Sequence, residues 1–91
     1  MERAGKPEQT TDEILSERGQ IHGDFSADSA IAQQLKQLLR SKENWEKLSS
    51  VQKEALEMIC TKLGRIMVGD PRHRDHWSDI AGYARLVEVR L

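Results

Sequence analysis

The stretch from Ser49 to Pro71 constrains the fold of this chain more than any other. Val51, Ala55, Leu56, Ile59, Leu63, Ile66 and Met67 recur at the three- and four-residue intervals that gather side chains on one face of an α-helix. The start is marked by Ser49 and Gln52, which match a capping box, and the stop by Gly69 with Pro71 just beyond it. A long amphipathic helix must bury its stripe against partners, so neighbouring segments should supply helices. From about Ala27 to Ser41, Ile31, Leu35, Leu38 and Leu39 recur with the same period, opposite Gln33, Gln34, Lys36, Gln37 and Arg40. From about His76 to Val89, Trp77, Ile80, Ala81, Ala84 and Val87 form a third apolar set.

The remaining segments are shorter. Thr11 or Asp12 can cap a helix running through Arg18, with Gly19 as its stop, and Ile21 to Ser26 then reads as a turn. Asn44 to Leu48 reads as a short helical turn or connection anchored by Trp45 and Leu48. No strand-like alternation or internal repeat occurs. The expected fold is all-α, a small antiparallel bundle of about four helices, because short links join antiparallel neighbours. Residues 1–10, charged and nearly without apolar side chains, form a flexible leader, and 11–91 form one helical domain.

Composition narrows the function classes. A chain of 91 residues buries only about 60% of its unfolded surface, so a homo-oligomer is a natural supplement to a marginal core. No apolar run approaches the roughly 20 residues needed to cross a bilayer, and no secretory signal opens the sequence. The single cysteine, Cys60, lies in an apolar helical pattern and fits a reducing cytoplasm as a small core residue. A net charge of −1 argues against broad binding of nucleic acid. Yet between Lys62 and Arg74, Lys62, Arg65, Arg72 and Arg74 face only Asp70, a local excess of +3 that would attract an anion. Helix C-termini favour cations, which accounts for Lys62 and Arg65 better than for Arg72 and Arg74.

Several side chains are candidates for chemistry. Glu54 and Glu57 are spaced i, i+3, and Asp75, Asp79 and Tyr83 are each four apart on the last helix. If these helices pack antiparallel, their acids could meet in one cleft and hold Mg²⁺, which takes oxygen ligands and shares them with phosphates. Lys62 and Arg65 would then bind the phosphates. Acids beside Lys and Arg are otherwise an ordinary solvated face. His22 and Asp24 flank Gly23 and could present a ring nitrogen, a carboxylate and backbone N–H groups to a ligand; Asp24 could equally be a helix cap with Phe25 as its apolar staple. His73 and His76 are spaced i, i+3, but no nearby Cys or further His completes a tetrahedral set, so zinc is not expected. Trp77 is expected in the core, and Tyr83 either there or stacked on a base. Gly82, inside a helix, invites close helix contact or ligand approach.

The elements His22-Gly23-Asp24-Phe25, Asn44-Trp45, Lys62-Leu63-Gly64-Arg65-Ile66 and Asp75-His76-Trp77-Ser78-Asp79-Ile80-Ala81-Gly82-Tyr83-Ala84 resemble a family of small uncharacterised proteins of tailed phages and prophages, over about residues 12–89. More distantly, the chain is similar to the MazG-like all-α nucleoside triphosphate pyrophosphohydrolases. These hold Mg²⁺ with Glu-x-x-Glu and Glu-x-x-Asp motifs on neighbouring helices. That resemblance implies a nucleotide substrate, with Glu54, Glu57, Asp75 and Asp79 as metal ligands, Glu54, Glu57 and Asp79 catalytic, and His22, Asp24, Lys62, Arg65, Arg72, Arg74 and Tyr83 around the substrate. Asp75 stands four residues before Asp79, not three, and His76 and Ser78 depart from the pattern. A shell one ligand short could bind a nucleotide without turning it over. Three readings follow: a Mg²⁺-dependent pyrophosphohydrolase, a non-catalytic binder sequestering a nucleotide or cyclic-nucleotide immune signal, and a structural interaction module. Each fits the cytoplasm of a bacterial host.

Overall fold

A computed structural model describes residues 9–91, so all but the end of the expected leader lies outside the described residues. The chain forms α1 (Thr11–His22), α2 (Phe25–Arg40), a 3₁₀ turn (Glu43–Lys47), α3 (Ser50–Val68) and α4 (Arg74–Glu88), with no strand among the described residues. It is a small all-helical bundle organised on α3.

The capping box at the start of α3 is complete, with Ser49 Oγ accepting from the Gln52 N–H and the Gln52 side chain accepting from the Ser49 N–H. Helix α2 packs along one side of α3 and α4 along another, and both run antiparallel to it. The side-chain register shows this direction: Arg40 meets Glu57 while Asp28 meets Gly64, and Lys62 meets Asp79 while Tyr83 lies near Glu54. The buried apolar side chains are Ala32, Trp45, Ala55, Cys60 and Ile66. Burial pushes the Cys60 thiol up from its usual range, as fits a core residue.

Glycine backbones set the tightest approaches. A Cβ on Gly64 would lie 2.6 Å from the Asp28 carbonyl oxygen, so α2 and α3 cross here only because α3 has no side chain. Gly23, at φ +83°, and Gly69 stand against each other: a Cβ on Gly23 would fall 2.7 Å from the Gly69 nitrogen, and one on Gly69 2.6 Å from the Gly23 nitrogen. The Asp70 N–H donates to the Ile21 carbonyl at 2.8 Å, tying the α1–α2 turn to the end of α3.

Four local expectations are corrected. Helix α1 does not stop at Gly19 but runs to His22, because the glycine that adopts positive φ and caps it is Gly23. Helix α2 begins at Phe25, with Asp24 Oδ2 accepting from the Ala27 N–H, so the cap lies earlier than the first apolar repeat suggested. Trp77 is 53% exposed and donates its indole N–H to the Pro71 carbonyl, while its neighbour His76 occupies the interior at 1% exposure. A Cβ on Gly82 would meet nothing within 4 Å, so no close contact among the described residues explains that glycine.

Candidate functional site

The continuation of α1 to His22 puts Leu15, Arg18, Gly19 and His22 on one stripe, since they are spaced at helical intervals of three and four. This stripe forms one wall of a cleft of about 460 Å³, and Asp24, Phe25, Asp28 and Arg65 form the rest. Such a volume is in the range of small-molecule sites. The guanidinium groups of Arg18 and Arg65 make no ion pair or side-chain hydrogen bond among the described residues.

Behind His22 lies a cluster of imidazoles. His22 Nδ1 is 3.4 Å from His76 Nε2, and the ring centroids of His22 and His73 stand 5.0 and 4.8 Å from that of His76. Burial, then the Arg65 guanidinium and the other histidines, lower the pKa of His22 below the usual value. Burial also lowers that of His76, against a raising contribution from the Ile21 carbonyl. Both rings are therefore neutral at pH 7, and His22 lines the cleft as a neutral hydrogen-bonding group backed by a buried partner.

Of the expected substrate-binding residues, His22, Asp24 and Arg65 meet in this cleft. Asp24 combines both expected roles of its segment, lining the cleft while it caps α2. Lys62 lies elsewhere, with Nζ 2.9 Å from Asp79 Oδ2, and that contact holds the Asp79 carboxyl below the usual carboxylate range. Arg72 and Arg74 occupy the exposed α3–α4 link and the start of α4, outside the cleft lining. Tyr83 lines a separate, almost wholly apolar groove between α3 and α4 with Val51, Glu54, Ala55 and Leu86.

The expected metal set is not assembled. Glu57 faces α2 and pairs with Arg40, Glu54 borders the Tyr83 groove, Asp79 is held by Lys62, and Asp75 stands 3.7 Å from His73 Nε2. Among the described residues no group of three or more His, Cys, Asp or Glu side chains is arranged to hold a metal ion. Glu54 and Glu57 lie only about 60° apart around α3, but Arg40 of α2 draws Glu57 to one side while Glu54 borders the groove against α4. The further histidine missing beside His73 and His76 in sequence is present in space as His22, but the three rings do not form such a set either.

The model of DUF6378, a domain of unknown function, matches residues 8–90. The chain belongs to the DUF6378 family. No curated protein and no solved structure is significantly similar to it. The match takes in the whole bundle, so the cleft and the imidazole cluster both lie within the DUF6378 domain.

Proposed function

We propose that this DUF6378 protein binds a phosphate-bearing small molecule of the nucleotide class and does not hydrolyse it. The observation that carries this reading is the convergence of Arg18, Arg65 and a neutral His22 on one cleft walled by Leu15 and Phe25. Two guanidinium groups without a partner among the described residues suit the oxygens of a phosphate, and the apolar wall suits the body of the ligand. The Mg²⁺-dependent pyrophosphohydrolase reading has less support, because two of the acids it needs, Glu57 and Asp79, are engaged by Arg40 and Lys62 at the separate α2–α3 and α3–α4 contacts. A sequestered nucleotide, including a cyclic-nucleotide immune signal, is the kind of ligand this site would take. Such a ligand belongs to the cytoplasm, and no helix among the described residues is long and apolar enough to cross a membrane.

Thermal melting with a panel of nucleoside mono- and triphosphates, with and without Mg²⁺, tests the reading. A bound ligand raises the melting temperature with its concentration, and the rise should survive EDTA. Arg65→Ala, alone and with Arg18→Ala, should weaken binding at least tenfold, since each removes a charge-assisted contact. Glu57→Gln and Asp79→Asn should leave affinity unchanged, and mass spectrometry should recover the ligand intact. Release of pyrophosphate that disappears with Glu57→Gln would reverse the conclusion in favour of catalysis.

A further inference from the structure

The anion-binding reading leaves one charged group of the cleft without a task. Asp28 is 6% exposed, in the first turn of α2. The helix macrodipole favours an acid there, but does not call for burying it. One carboxylate oxygen, Oδ1, lies 3.4 Å from Ser29 Oγ, and the other has no hydrogen-bond or ion-pair partner among the described residues. No fully buried side-chain oxygen or nitrogen among those residues lacks a partner, so the second oxygen keeps contact with solvent. Asp28 is one of the residues that line the cleft. Its backbone is held in place, because the carbonyl of Asp28 is the atom pressed against Gly64.

A carboxylate accepts hydrogen bonds and donates none, and its two oxygens suit two parallel N–H donors. The geometry points to a guanine nucleotide as the ligand: Asp28 reads the paired N–H donors of the base while Arg18 and Arg65 hold the phosphate. Among the common nucleobases guanine alone sets a ring N–H beside an exocyclic amine. Adenine and cytosine place an acceptor nitrogen next to their amine, and its lone pair would face the carboxylate. Uracil and thymine offer one N–H between two carbonyls. Phe25, 78% exposed at the rim, and Leu15 give a flat ring an apolar surface. Confining base discrimination to a buried carboxylate has a physical advantage, since an unmatched partner leaves that charge desolvated and unpaired.

This inference rests on the phosphate-binding reading, and its test separates the two. Calorimetric titration of the full chain with GMP, IMP, AMP and ribose 5-phosphate, without added metal, compares ligands with the same phosphate. GMP should bind about tenfold tighter than AMP or ribose 5-phosphate, with IMP, which lacks only the 2-amine, between them. Asp28→Asn should bring GMP to the level of AMP and leave ribose 5-phosphate where it was. The wild-type series decides the question even if that variant does not fold. Equal affinity for GMP and AMP, or an equal loss for GMP and ribose 5-phosphate in Asp28→Asn, would overturn the role of Asp28 and leave phosphate binding standing. Binding of none of the four ligands would overturn both.

Discussion

His76, at 1% exposure, is the most deeply buried of the large side chains, and it is a titratable one. A buried imidazole pressed against a second imidazole resists protonation, because a charge there would be desolvated and would repel its neighbours. The consequence for stability has a definite sign. With the folded pKa values of His22 and His76 below the ordinary 6.5, the unfolded chain binds more protons as pH falls through that region. The contribution of these two histidines to stability is therefore complete above pH 6.5 and declines as pH drops through the lowered folded values. Urea unfolding at pH 7.5 and pH 5 should show the protein weaker at pH 5, and His76→Gln should narrow the difference. Asp79 does not blur the comparison, because Lys62 keeps its carboxylate ionised at both pH values. Equal stability of the wild-type chain at the two pH values would contradict the neutral-imidazole account.

Among the elements, α3 and α4 show how two glycines can look alike in sequence and differ in space. Gly64 and Gly82 both interrupt helical patterns, yet a side chain at Gly64 would strike the Asp28 carbonyl and one at Gly82 would enter open space. Gly64→Ala should destabilise the protein by about 1–3 kcal/mol through overpacking. Gly82→Ala should stabilise it by about 1 kcal/mol through helix propensity. Chemical denaturation of the two variants should move the unfolding midpoint in opposite directions. The long helices were legible in the sequence because their apolar period, the capping box at Ser49 and the stop at Gly69 all agree. Helix α1 was less so: none of its residues is buried, and periodicity gives no guide to a helix with no buried face. Ending that helix at Gly19 concealed Arg18 as a partner of His22, one turn away on the same stripe. Asp28 was hidden for another reason, because first-turn acids are common and only the Gly64 crossing accounts for its depth. The meeting of His22 with His76 spans 54 residues and had no local signal at all.

At the scale of the whole molecule, the bundle leaves large apolar side chains in solvent. Phe25, Met67, Leu15, Leu38 and Trp77 are all more than half exposed. Phe25 and Leu15 belong to the cleft, where a ligand would cover them, whereas Met67, Leu38 and Trp77 do not line it. Where such side chains gather into one patch they commonly mark contacts with other chains. We propose a homo-oligomer on this ground, and sedimentation equilibrium should give a mass above that of one 10.4 kDa chain. Trp77→Lys and Leu38→Lys, with the charge outside the cleft, should lower that mass if these residues lie at the contact. A monomeric wild type at micromolar concentration would remove the proposal without touching the ligand site.

The paired glycines at positions 23 and 69 have a mechanical meaning as well. Helix α1 supplies Leu15, Arg18 and His22 to the cleft but has no buried residue, and the glycine crossing and the Asp70–Ile21 hydrogen bond fasten only its C-terminal end. Its N-terminal turns have little burial to oppose their fraying, so their amides should exchange with deuterium sooner than those of α3. An occupied cleft, gripped from the α1 side by Arg18, should slow that exchange.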